Sequence, residues 1–250
     1  KEVSSLLALP ERSSVEIRIG NFEKLPTVVQ KWLTYSGVKG NTDIHTVRLR
    51  QKGSMKTAPD GKWMDFTAVQ YFNADEPSFN WQTKVDMFPM IYLTGRDKFE
   101  NGQGSMLIKL LSVKNVVSPI PSATLDQGTM LRYLAEICWF PSAALHESIT
   151  WEAIDSSSAL ATMNYKGISV SGIFYFNELS EVTAFEAMRY GEFNGRMSLE
   201  KWHIDIKGYK TFSGINLPYK FEVSWKLRTG DFTWLKLELT DLEYNLREMY

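Results

Sequence analysis

Between residues 215 and 227 the odd positions read Ile, Leu, Tyr, Phe, Val, Trp and Leu, while the even positions read Asn, Pro, Lys, Glu, Ser and Lys. Side chains of a strand alternate between the two faces of a sheet, so this pattern predicts one strand with a greasy face and a wet one. The same period recurs around it. Ile168, Val170, Phe174 and Phe176 share a face, Trp202, Ile204 and Ile206 lie opposite His203, Asp205 and Lys207, and Leu235, Leu237 and Leu239 form a last strand ending near Tyr244. Val182 to Tyr190 is read as a further strand.

In the first half, Val47 and Leu49 alternate with Arg48 and Arg50, and Pro59-Asp60-Gly61 supplies a turn before a hairpin partner over Met64 to Phe72. Strands are predicted at Phe79 to Met87, Tyr92 to Glu100 and Ser105 to Leu111, punctuated by Pro77, Pro89, Gly95, Gly102 and Gly104. Two segments carry a helical period instead. Leu25, Val28, Val29, Trp32 and Leu33 predict a short helix with Pro26 in its first turn and Gly37 as its stop. Met130, Leu131, Leu134, Ile137 and Cys138 predict a second over Asp126 to Trp139, with Asp126 as its cap and Pro141 as its limit.

The pattern therefore predicts a mainly β chain. A strand of the length seen at 215 to 227 extends on the order of 40 Å and must twist and coil. We expect a long coiled antiparallel sheet, a half-barrel or barrel, covered by two or three short helices. Residues 1 to 20 are expected to form a weakly ordered arm, and 21 to 250 a single domain.

Composition narrows the partners. The chain holds 29 acidic and 28 basic residues, so it has no net field to attract a polyanion, and nucleic acid is not an expected partner. Its 14 Phe, 11 Tyr and 8 Trp are ample for an aromatic core. The single Cys138 excludes an intramolecular disulfide, and no run of apolar residues reaches the roughly 20 that cross a bilayer. Because the sequence opens on Lys1, we expect a processed or trimmed form with an upstream signal or anchor.

Sites of familiar chemistry are missing from the sequence. His45, His146 and His203 stand singly, without metal-ligand spacing, and Cys138 falls in the apolar stripe of a helix, where cysteine behaves as a small hydrophobe. The sequence has no nucleophile elbow, phosphate loop or dinucleotide fingerprint, and Gly102-Gln103-Gly104-Ser105 is read as a turn, so no cofactor is expected. Charges within apolar segments stand out instead, since a buried charge persists only when paired or functional. These are Arg96 and Asp97, Arg132 and Glu136, Glu186 and Arg189, and Asp126. Tyr71, Trp81, Trp139, Phe174, Phe176, Trp202, Phe221 and Trp225 are the aromatic candidates for a ligand pocket, with Tyr190 and Trp234 beside them.

Several segments also resemble a bacterial family catalogued as a domain of unknown function. They are Gly95-Arg96-Asp97 with Gly102 to Met106, Leu125-Asp126-Gln127-Gly128 through Leu131 to Glu136 and on to Trp139-Phe140-Pro141, Asp60 to Trp63 before Phe66, Val170-Ser171-Gly172, and Gly230-Asp231-Phe232. The resemblance implies a hydrophobic segment upstream and assigns no catalytic residue. More distantly, a coiled sheet with helices on its concave face is similar in layout to lipoprotein carriers of the LolA and LppX kind. That likeness implies a lipid or lipoprotein guest. The expected function is non-catalytic binding of a lipid or other hydrophobic ligand in the cell envelope, periplasmic or membrane-anchored. The alternatives are a hydrolase using Glu136 or Glu186 near Arg96, Arg132 or Arg189, and a structural module that docks on a partner.

Overall fold

The structure is a computed structural model that describes residues 2–7, 22–38, 44–88, 90–117 and 120–250. The chain lays down six strands as a meander: β1 (Thr46–Met55), β2 (Met64–Asn73), β3 (Ser78–Phe88), β4 (Ile91–Glu100), β5 (Gln103–Leu110) and β6 (Lys114–Val117). A helix then crosses, and seven more follow: β7 (Ile149–Ala153), β8 (Ser158–Tyr165), β9 (Ile168–Phe176), β10 (Val182–Phe193), β11 (Arg196–Phe212), β12 (Ile215–Leu227) and β13 (Gly230–Tyr244). The second meander runs back until β13 pairs with β1, giving one antiparallel sheet in the order β6-β5-β4-β3-β2-β1-β13-β12-β11-β10-β9-β8-β7. The sheet curls into a half-barrel. Its tight reversals have sequence causes; at Asn101-Gly102 and Asn194-Gly195 both residues take positive φ, as a two-residue hairpin turn requires.

Among the described residues three helices decorate the sheet. α1 (Glu2–Leu6) lies on the convex face, where Val3, Leu6 and Leu7 bury Tyr71. The rest of the expected N-terminal arm, residues 1 and 8–20, lies outside the described residues. α2 (Thr27–Tyr35) buries Val28, Val29, Trp32 and Leu33, and its Trp32 ring stacks 6.0 Å from Phe174. Pro26 sits just ahead of this helix rather than in its first turn, because its ψ of 143° is extended.

α3 (Ala123–Glu136) starts three residues earlier than its apolar stripe predicts. Ser122, not Asp126, is the cap: its hydroxyl accepts the Leu125 N–H at 3.3 Å. Asp126 instead reaches across to the backbone N–H of Gly104 at 2.7 Å and ties the helix to β5. The helix tightens to 3-10 turns over Ile137–Trp139 and, past Phe140, over Pro141–Leu145.

The concave face is filled unevenly. Toward the Thr46 end of β1, Phe72, Phe79, Phe99, Tyr133 and Phe140 are fully buried and pack ring on ring, with Phe72 and Phe140 centroids 4.8 Å apart. On the opposite flank, Phe185 packs edge-on to Phe174 at 4.9 Å and lies directly over Gly172 of β9. A β-carbon at Gly172 would fall inside that ring, so Gly172→Ala should destabilise the fold by about 1–3 kcal/mol, read as a lower urea midpoint. An unchanged midpoint would mean the ring moves freely.

Candidate functional site

Toward the other end of the strands the concave face is not filled. A cavity of about 300 Å³ lies between the sheet and α3. It deepens from half-buried Met55 and Met64 at the ends of β1 and β2 to fully buried Trp139 and Phe174. The strand period explains its greasy wall, since the inward positions of β11, β12 and β13 supply Ile204, Ile206, Val223, Leu235 and Leu237.

A polar network lines one side of this space and begins at Arg132. One turn of α3 aims Arg132 and Glu136 at the sheet, and Nε of Arg132 donates to Glu136 Oε1 at 2.7 Å. Arg132 Nη1 donates to Asp97 Oδ2 of β4, also at 2.7 Å. Its guanidinium lies 4.9 and 4.8 Å over the Phe79 and Trp81 rings. Inward-facing glutamines extend the chain of bonds. Gln70 Nε2 donates to Glu136 Oε2 at 2.7 Å, Gln51 Nε2 donates to Gln70 Oε1 at 3.3 Å, and the Trp81 indole donates to Gln51 Oε1 at 2.8 Å.

Burial pushes the Glu136 carboxyl above its ordinary value of 4.5, and the Arg132 charge pulls it only part of the way back. A carboxyl whose pKa is higher folded than unfolded stabilises the fold below pH 4.5, and that contribution disappears as pH rises through the folded pKa. Urea melts of Glu136→Gln should therefore lack one declining segment of the wild-type stability curve above pH 4.5; superimposable curves would contradict this.

Arg189 of β10 is the second guanidinium on the concave side. Its Nε reaches the Gly128 carbonyl at 3.3 Å, its charge sits 4.7 Å over the Trp202 ring, and burial draws it down to about 10. The indole N–H groups of Trp139, Trp202 and Trp234, which all line the cavity, are buried without a partner, as is Oδ1 of Asp97.

Of the aromatic candidates, Trp81, Trp139, Phe174, Trp202 and Phe221 line the cavity. Tyr71 does not: it is an outward position of β2, covered by α1 and by Tyr250. Phe176 packs under Trp32, and Trp225 packs edge-on to Phe193 at 5.2 Å. The expected charge pairs also divide. Arg96 points outward to Glu2 at 2.8 Å while Asp97 points in. Glu186 is on the convex face with His203 at 2.9 Å and Lys201 at 3.2 Å, on the opposite side of β10 from Arg189. Sequence reading missed Gln51 and Gln70; their signal was a polar residue at an inward strand position.

Cys138 is buried, and burial pushes its thiol well above the usual range, which fits a core role. Among the described residues no group of three or more His, Cys, Asp or Glu side chains has the arrangement of a metal site. None of the helices described is long and apolar enough to cross a membrane.

Residues 16–237 match a family described as a family of unknown function, DUF6544. The chain belongs to that family. No curated protein matches it. Among solved structures, it is similar to a putative outer membrane lipoprotein-sorting protein domain from Vibrio parahaemolyticus at 10% identity, covering 86% of this chain and 93% of that one, with a TM-score of 0.47. A LolA superfamily protein from Nitrosomonas europaea is similar at 12% identity, with 90% and 96% covered and a TM-score of 0.45. A DUF1329 family protein from Desulfovibrio piger is similar at 9% identity, with 90% and 96% covered and a TM-score of 0.46.

Proposed function

We propose that this DUF6544 member is a non-catalytic binding protein whose concave cavity holds a lipid or another hydrophobic small molecule. The observation that carries the reading is the cavity itself. It is about 300 Å³, walled by aliphatic and indole side chains, and reaches from half-buried Met55 and Met64 to the buried rings of Trp139 and Phe174. That volume is at the lower end of the roughly 300–1,000 Å³ of known ligand sites, and a mostly apolar wall with a few placed polar groups is their usual chemistry. Of the two carboxylates named for a hydrolase, Glu136 is bound to Arg132 while Glu186 is on the convex face with His203 and Lys201, which favours binding over hydrolysis.

Four of the chain's eight tryptophans, Trp81, Trp139, Trp202 and Trp234, line the cavity and report on its contents. Titration of the purified protein with a fluorescent fatty acid should quench indole emission saturably, and solvent extraction of the untreated protein should release lipid. Neither saturable quenching nor extractable lipid would leave the cavity as packing slack and end the proposal.

A further inference from the structure

The half-barrel is split on one flank. β9 and β10 pair only where Ile173–Phe176 meets Val182–Glu186. Beyond that point Ala187–Phe193 pairs with β11 alone, and Ile168–Gly172 pairs with β8 alone. The Gly128 turn of α3 sits in the opening, and a second cleft of about 410 Å³ lies there, lined by Gly128, Leu131, Val170, Arg189, Tyr190 and Leu199. Arg189 lines both this cleft and the apolar cavity behind it.

The surroundings of Arg189 are unusual for a buried guanidinium, which is normally held by carboxylates. Among the described residues it forms no ion pair. It has one long hydrogen bond, to the Gly128 carbonyl, and two aromatic neighbours, Trp202 at 4.7 Å and Trp225 at 5.8 Å. Both nearby carboxylates are already bound to Arg132. The indole N–H of Trp202, whose ring Arg189 covers, is a buried donor without an acceptor. Donors thus gather where the cavity meets the split; among the described residues Arg189 bonds only the Gly128 carbonyl, and Asp97 Oδ1 in the same cavity is a buried acceptor that no hydrogen bond engages. A guanidinium fork matches a carboxylate or phosphate with two parallel N–H bonds.

We infer that the guest of the cavity is an amphiphile whose anionic oxygen head group, carboxylate or phosphate, is held by Arg189 at the β9–β10 split while its apolar tail fills the space behind. This rests on the reading of the cavity as a binding site. The head group replaces no existing ion pair, and the tail meets Trp202, Phe221 and Leu235.

The test compares a medium-chain fatty acid, the alkyl phosphate and the alcohol of the same chain, by competition for the fluorescent probe on the full chain. The wild type should prefer one or both anions over the alcohol by roughly tenfold or more, as a charged hydrogen bond gained on binding implies. A preference for the phosphate over the acid identifies a phospholipid-type head, and the reverse a free acid. The anion-to-alcohol ratio should collapse toward one in Arg189→Gln and recover in part in Arg189→Lys, which restores the charge without the fork.

Equal binding of acid, phosphate and alcohol by the wild type overturns the inference, because Arg189 is then only a counter-charge for the Arg132 cluster, while the cavity reading stands. An unchanged ratio in Arg189→Gln overturns it equally. Absence of binding by all three would sink the cavity reading itself. The wild-type ratio decides the matter even if the glutamine variant does not fold.

Discussion

Arg132→Met is expected to lower stability by roughly 3–5 kcal/mol, the cost of leaving buried carboxylates without their cation. Asp97 is 5% exposed, the Glu136 side chain 12%, and each accepts a 2.7 Å bond from the same guanidinium. Methionine keeps much of the side-chain volume, so the loss would be electrostatic rather than a cavity. In a domain of this size the melting temperature should fall by on the order of 10 °C. The control is Lys201→Ala. Lys201 pairs with Glu186 at 3.2 Å but is half exposed, so its removal should cost no more than about 1 kcal/mol. Comparable losses in the two variants would show that water reaches the Arg132 cluster and that it is no interior network.

The second large effect concerns the cavity. Leu235 is a half-buried inward residue of β13 on its wall, so Leu235→Trp should grow into open space rather than into packed neighbours. The variant is expected to fold with a melting temperature within a few degrees of the wild type and to lose fatty-acid affinity at least about tenfold, some 1.4 kcal/mol. Competition binding reads the loss directly. Retained affinity would place the ligand elsewhere.

Much of this fold was legible because alternation reports burial on one face. The strand at Ile215–Leu227 has the bounds its pattern gives, and β11, longer than its Trp202 to Ile206 core, continues to Phe212 past register irregularities on both sides of Gly208. β7 and β8 escaped for a physical reason. Their inward positions include Ala159 and Ala161, small residues that make room for rings such as Phe174, so the contrast between faces is faint. Parity also separates Arg96 from Asp97 and Glu186 from Arg189, since odd offsets in a strand put side chains on opposite faces.

The site was legible only in part. The Arg132–Glu136 bond follows from four-residue spacing on a helix, but Asp97 is 35 residues upstream and joins it only because the curled sheet faces α3. Tyr71 shows the converse. Its apolar surroundings suggest an interior ring, yet the burial comes from α1 on the outer face, a contact between segments far apart in the chain.

The space between α3 and the sheet is expected to hold an apolar guest. A crystal structure with a brominated fatty acid tests it most directly. An anomalous bromine peak is expected inside the half-barrel, among Trp139, Phe221 and Leu235. Bromine found only on the outer surface, or an ordered chain without any, would contradict it.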